Sequence, residues 1–372
     1  MILSWRGPGH PNAGGAEIST HEHAKAWVKA GHSVTLFTSQ YEGAKEEEMV
    51  DKVLLIRRGD QFFSVHWEAF KWYTFADHPK YDLIIDQFHG IPFFTPFYIR
   101  VRKLGFIHEV TKEVWKLNQL SFPLNYFVYV LGLVFEPLIF QLYKKTPFFT
   151  VSQSTKKDLT EWGIQTENIT VINNGMSKAS FGKIPPKEMN KTIIYLGALA
   201  KDKGIEDALQ TFSILNKDFR DWQFWVVGKS DSLYLENLEL LSGKLGIKNK
   251  IKFWGFVSEQ KKYKLLARAH VLINPSIREG WGLVVIEAAS MGIPTVAYNV
   301  PGLKDSVLDG KTGLLCECSP EALAVKVKEL LADDRRYNEI CKNAIDRSRN
   351  FSWEKSTHLS LNLIEKLVNY KK

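Results

Sequence analysis

One stretch limits what this chain can fold into. An apolar run from Val271 to Ile273 leads into Asn274-Pro275-Ser276-Ile277-Arg278-Glu279-Gly280-Trp281-Gly282-Leu283-Val284-Val285-Ile286-Glu287-Ala288-Ala289-Ser290-Met291-Gly292-Ile293-Pro294, and a second apolar run continues to Ala297. The pattern predicts a strand, a glycine-punctuated loop, a helix of about three turns stopped at Gly292, and another strand. The loop then lies at the carboxyl end of a parallel strand, where open α/β sheets bind ligands. Gly280 and Gly282 permit close backbone approach, and a helix start offers unpaired N–H groups to an anion. Glu279 precedes the helix and Glu287 lies inside it, so the two carboxylates can meet different parts of one elongated ligand. A diphosphate flanked by two hydroxyl-bearing groups, as in a nucleotide sugar, has that layout.

The complete string is far more specific than a bare pair of glutamates with seven residues between them. It resembles the signature of the retaining nucleotide-sugar glycosyltransferases of family 4. That resemblance implies the GT-B fold: an α/β protein with two doubly wound Rossmann-like domains facing across a cleft. By the same resemblance, Glu279 positions the transferred sugar. The Gly280-Trp281-Gly282-Leu283 loop holds donor phosphates, and Glu287 accepts hydrogen bonds from ribose hydroxyls.

A length of 372 residues suits two domains, each able to bury its own core. A formal net charge of +8 fits anionic partners, namely nucleotides, a phosphorylated acceptor or an acidic membrane surface. No nucleic-acid module is legible, so nucleic acid is not an expected partner. Cys316, Cys318 and Cys341 have neither metal-ligand spacing nor an even framework, which fits a reducing cytoplasm. No Asp-x-Asp pair suits a metal-held diphosphate, so neither a metal nor another cofactor is expected.

The first half opens with Ile2 to Trp5, which reads as a strand rather than a leader. A loop with Gly7, Gly9, Gly14 and Gly15 follows, then a helix from Ala16 to Ala30 and a strand from Val34 to Thr38. The dinucleotide spacing Gly-x-Gly-x-x-Gly is absent, so a nicotinamide cofactor is not expected. Alone, Gly14-Gly15 reads as a turn. The run Ala13 to Glu17 is similar to the family's first glycine loop, which implies Gly15 on the donor side and Gly14 on the acceptor side. Glu46 to Asp60 reads as an edge hairpin. Strands 82–86 and 104–107 end in His89 and His108 respectively. His108 matches the family histidine beside the donor sugar, whereas His89 fits either packing or the acceptor side.

Phe122 to Phe135 carries no charge before Glu136-Pro137 interrupts it. That is too short to span a bilayer, which needs ~20 residues, so it reads as a buried or interfacial helix. The wider stretch Pro92 to Tyr143 is aromatic, with Arg100, Arg102, Lys103, Lys112 and Lys116 interspersed. Core packing explains it, and so does docking on anionic lipid with apolar side chains inserted.

An Asn173-Asn174-Gly175 turn and Pro185-Pro186 mark the linker. The domains are expected at 1–178 and 179–352, with helix 353–372 returning to the first. Strand 192–196 opens the second domain. The next loop, Gly197 to Gly204, corresponds to one that carries a donor-phosphate lysine in the family, which implies that role for Lys203. The arginine usual after the first glycine is Ala198 here, and Lys201 or Arg278 are candidates to compensate. Strand 223–227 ends in Gly228, read as a tight turn. Strand 251–254 leads to Val257, where the family sets the nucleotide base against the backbone.

The expected activity is metal-independent transfer of a sugar from a nucleotide-sugar donor to a hydroxyl acceptor at the cytoplasmic face of a membrane. Lipid-linked sugar, polysaccharide precursor and glycolipid stay open as acceptors. Two other readings fit the same fold: a sugar-nucleotide epimerase and a non-catalytic nucleotide-sugar-binding subunit.

Overall fold

The computed structural model describes residues 1–62, 64–88, 90–117, 121–177 and 185–369. It divides into two compact units, Met1–Gly175 with Ser352–Lys372, and Met176–Phe351. The expected boundary between residues 178 and 179 lies outside the described residues.

In the first unit, β1 (Ile2–Leu3), β2 (Thr35–Thr38), β3 (Glu47–Val50), β4 (Val53–Arg57), β5 (Leu83–Phe88), β6 (Arg102–Ile107), β7 (Phe148–Thr150) and β8 (Ile169–Val171) form one sheet. Their order among the described residues is β3-β4-β2-β1-β5-β6-β7-β8. All neighbours are parallel except β3 and β4, the expected edge hairpin. Its turn residues Asp51 and Lys52 take left-handed φ angles of 49° and 64°, which matches the twist of a two-residue hairpin. Helices α1 (Gly15–Lys29), α2 (Ser64–Phe75), α3 (Thr95–Tyr98), α4 (Leu124–Gln141) and α5 (Gln153–Glu161) connect the strands. Sequence patterning alone did not reveal α2. Covered on both faces, β5 is buried along its whole length and reads as a continuous apolar run interrupted only by Asp86 and Gln87. Asp86 is buried but accepts from Phe93 N (3.0 Å), Thr95 Oγ1 (2.8 Å) and Tyr143 Oη (2.6 Å), so its polar atoms are satisfied.

The apolar segment after residue 122 departs from expectation. The helix does not stop at Glu136-Pro137 but runs through it to Gln141. Glu136 turns inward, where its carboxylate accepts from Thr111 N (2.6 Å), Lys112 N (3.0 Å) and Trp115 Nε1 (2.8 Å). The apolar side chains mostly face outward, so the buried alternative fails for this helix.

In the second unit, β9 (Thr192–Leu196), β10 (Gln223–Val227), β11 (Ile251–Gly255), β12 (Val271–Asn274), β13 (Thr295–Tyr298) and β14 (Gly313–Cys316) form a parallel sheet. Its order is β11-β10-β9-β12-β13-β14 among the described residues. Helices α6 (Ile205–Asp218), α7 (Ser232–Lys244), α8 (Glu259–Arg268), α9 (Leu283–Ser290), α10 (Leu303–Ser306), α11 (Pro320–Ala332) and α12 (Asp334–Ser348) complete it. A core of Ile193, Phe212, Phe224, Val271, Ile273 and Val296 lies under α6 and α11, and Leu266, Leu272 and Ala288 pack the opposite face. Helix α9 has eight residues rather than three full turns. Left-handed glycines bound it, Gly282 at φ 74° as its N-cap and Gly292 at φ 69° beyond its end.

The last helix, α13 (Trp353–Asn369), packs on α1 in the first unit. Ser360 Oγ meets His23 Nδ1 at 2.8 Å and accepts from Trp27 Nε1 at 3.0 Å. Close approach at the chain's return requires Gly175, since a Cβ there would lie 2.1 Å from Trp353 N.

Candidate active site

Strand order fixes where a ligand can bind in the second domain. Sheet order reverses between β9 and β12, the switch point at which an open parallel sheet leaves a crevice at its carboxyl edge. The loops leaving those two strands are 197–204 and 275–282. Tyr195, buried at the end of β9, donates through its hydroxyl to Ala198 O at 2.7 Å and Lys203 O at 3.3 Å, holding the first loop closed. Ile277 N donates to Asp202 O at 3.0 Å, joining the two loops. Gly204, at φ 69°, sits so close that a Cβ would meet Pro275 O at 2.1 Å. A third loop closes on them: Glu279 N donates to Pro301 O at 3.2 Å, and a Cβ on Gly302 would lie 1.9 Å from Glu279 O.

This bracing puts Lys203 against Glu279. The ammonium lies 3.2 Å from Glu279 Oε1, and Ser276 Oγ donates to the same oxygen at 2.9 Å. Ser276 is itself set by its N–H, which donates to Asn274 Oδ1 at 3.1 Å. Glu287 is partly buried one turn into α9 and pairs with Lys262 at 2.6 Å. Burial pushes its carboxyl above the usual carboxylate range, and Lys262 opposes that shift. Lys262, from α8, was not singled out in the sequence. Its place is set by the Ser258 cap of that helix, which accepts from Lys261 N.

Gly280, Trp281 and Gly282 are buried, and Leu283 is partly exposed. The buried Trp281 indole packs edge-on against Phe351 with ring centroids 5.0 Å apart. In the first turn of α9, Val285 N donates to Gly282 O at 2.9 Å, and a helix start leaves the preceding N–H groups, here those of Leu283 and Val284, without an intrahelical acceptor. Val257 is partly buried beside Trp254 at the end of β11. Of the candidates to replace the arginine absent at 198, Lys201 is exposed and Arg278 is buried. Gly228 is not a left-handed turn. It allows close approach instead, because a Cβ there would lie 1.7 Å from Gly197 O.

In the first domain the order reverses between β1 and β5. The loop after β1 ends at Gly14 and Gly15, both exposed, where α1 begins. Glu17 secures that loop: its carboxylate accepts from Gly14 N at 2.6 Å and from Arg6 Nε at 3.0 Å. His108 follows β6 on the same carboxyl edge of the parallel sheet and is buried. Its Nε2 lies 3.5 Å from Gln87 Nε2, and the Gln87 amide also donates to Thr20 Oγ1 at 2.6 Å. Thr155 Oγ1 donates to His108 O at 2.9 Å. Thus α1, β5, β6 and α5 together fix His108, a set in which sequence reasoning had found only the histidine. His89 lies outside the described residues.

Two family profiles match. "Glycosyltransferase Family 4" matches residues 13–179, and "Glycosyl transferases group 1" matches residues 176–347. A glycogen synthase of Mycobacterium tuberculosis is 30% identical over 210 residues, which cover 55% of this chain and 50% of that protein. The chain spans about half the length of the curated relatives it matches first. Among solved structures, the sucrose-phosphate synthase of Thermosynechococcus elongatus superposes with a TM-score of 0.80 at 19% identity, covering 100% of this chain and 99% of that one. Anabaena HepE, solved in complex with UDP and glucose, superposes with a TM-score of 0.72 at 18% identity, covering 98% and 99%. With two Rossmann-like domains of this topology and the two profiles together matching residues 13–347, the chain belongs to glycosyltransferase family 4, of GT-B fold.

Proposed function

We propose that the chain transfers a sugar from a nucleoside-diphosphate sugar to a hydroxyl acceptor, with retention of anomeric configuration. The observation that carries this reading is the convergence of Lys203, Glu279 and the start of α9 at the switch point of the second sheet. As the bond to the diphosphate breaks, negative charge grows on the leaving oxygen and positive charge on the anomeric carbon. Stabilising the leaving charge is the main demand. Lys203 and the amides of the Gly280–Leu283 loop meet it, so the reading requires no metal. When a diphosphate binds, Lys203 exchanges part of its contact with Glu279 for phosphate oxygens, and Glu279 turns to the sugar hydroxyls. Glu287 accepts from the ribose, and the Val257 loop lies against the base. In the first domain, the family resemblance gives His108 and Gly15 a donor-side role and Gly14 an acceptor-side role. A lipid-linked acceptor at a cytoplasmic membrane face fits the exposed apolar helix α4.

The UDP and glucose bound by HepE support a nucleotide-sugar donor. Ala198 favours one alternative, a domain that binds the donor without turnover. The test is a thermal-shift screen with UDP-, GDP- and ADP-sugars, followed by NMR of any product. One nucleotide class should stabilise the wild type and not Glu287→Ala, and the product should keep the donor's anomeric configuration. A nucleotide sugar at 100 times its dissociation constant adds about 2.7 kcal/mol of stability. No shift with any of the three would overturn the reading. Stabilisation without transfer would leave the non-catalytic alternative.

A further inference from the structure

Helix α4 is built inside out. Its inward stripe is Gly132, Glu136 and Phe140, spaced four apart. The Trp115 ring lies so close to Gly132 that a Cβ would sit 2.4 Å from it, and the indole N–H donates to Glu136. Phe140 is in the core beside Phe88 and Phe148. The outward stripe, Phe127, Val130, Val134 and Leu138, is also apolar and exposed: Phe127 by 59% and Leu138 by 54%. Phe122, just ahead of the helix, is 81% exposed. A soluble helix puts its charges on that face; this one has none there, since its one acidic or basic side chain is the inward Glu136.

The charges stand at the ends instead. From Val114 through Lys157 the sequence holds five lysines, at 116, 144, 145, 156 and 157, and one acid, the inward-turned Glu136. Lys116 lies ahead of the helix, and Lys144 and Lys145 follow it, all three exposed. We propose that α4 is an in-plane anchor that seats the first domain on an anionic lipid bilayer. Apolar side chains enter the acyl boundary, and the flanking lysines reach the headgroups.

At ~27 Å, α4 nearly matches a ~30 Å hydrocarbon core, yet topology forbids it to span. Strands β6 before it and β7 after it pair in one parallel sheet, Gly105 opposite Phe148. Both ends of α4 therefore lie on the same side of any membrane. The proposal deepens the reading above and rests on it for the idea that the acceptor is presented at a membrane.

The test is co-sedimentation of the full chain with vesicles of phosphatidylcholine alone or mixed with phosphatidylglycerol, at low and high salt, without donor. Wild type should bind the mixed vesicles, weaken at high salt and come off in alkaline carbonate. Val134→Asp with Leu138→Asp should lower binding by about tenfold or more, as should Lys144→Glu with Lys145→Glu. An unchanged nucleotide-induced thermal shift in both variants would show the fold intact. Absence of wild-type binding overturns the anchor, as does binding that survives both pairs of substitutions. Retention in carbonate would mean that the helix spans. A wild-type dimer that ignores vesicles and turns monomeric on Val134→Asp would assign α4 to a second copy of the chain. Vesicle binding without sugar transfer to any acceptor would sink the activity reading and leave the anchor standing.

Discussion

Lys262 holds Glu287 through an ion pair of 2.6 Å, between the second turn of α8 and the middle of α9. The lysine offsets the burial that pushes the Glu287 carboxyl upward. Lys262→Met should raise that pKa further, because the opposing charge is gone. A protonated carboxyl is a poorer acceptor for hydroxyls, so nucleotide affinity should fall as pH drops through the raised value. Calorimetric titration over a series of falling pH should show donor binding weakening earlier and more steeply in the variant than in the wild type. Equal pH profiles would mean that Lys262 does not tune the site.

Glu279 and Glu287 should fail differently. Glu279→Ala is expected to lower kcat by about a hundredfold, with little change in donor KM. Glu287→Ala should chiefly raise donor KM. Steady-state kinetics on both variants separates the roles, and wild-type rates in either would remove that residue from the site.

The braced loops predict a stability effect tied to function. Gly302→Ala introduces a methyl group where Glu279 O stands 1.9 Å away, at a backbone φ of 80°. Urea unfolding of the variant should show a loss of about 2 kcal/mol or more. Donor binding should drop in parallel, since Glu279 moves with its carbonyl. A stable variant with intact binding would mean that the 301–302 loop yields without cost.

In the proposed donor-phosphate site, Ala198 stands where the family resemblance implies an arginine. Ala198→Arg should strengthen nucleoside-diphosphate binding by about fivefold, with a steeper dependence on salt. Unchanged affinity would place the diphosphate away from this loop.

His23 is buried between α1 and α13, and desolvation lowers its pKa to about 3. The ring stays neutral in the folded protein while the unfolded chain takes up a proton below about pH 6.5. Its contribution is complete above that value and is lost as pH falls toward 3. At pH 5 the loss is about 2 kcal/mol. His23→Gln should flatten the acid limb of a Tm-against-pH curve, and the same slope in both proteins would show that the ring does not govern it.

Much of the second domain was legible because its signals are local. Strands 192–196 and 223–227 appear where apolar runs end in glycine, and the Ser258 cap marks the start of α8. A glycine-framed helix between Glu279 and Gly292 could be read from residue order alone, though its two-turn length could not. The folded chain alone showed that Gly204 and Gly302 are fixed by carbonyls of distant loops, and that Lys203 meets Glu279. It also supplied Lys262 as the partner of Glu287 and linked Thr20 to His108 through Gln87. Helix α4 shows the division most clearly. The sequence determined that residues 122–135 are apolar and uncharged, but periodicity carries no sign telling which face turns inward. Tertiary structure decided that through Trp115 and Glu136: satisfying a buried carboxylate with three N–H donors turned the remaining apolar stripe outward. Local order sets which residues can form an element. What each side chain meets depends on strand order in space, which a one-dimensional pattern does not contain.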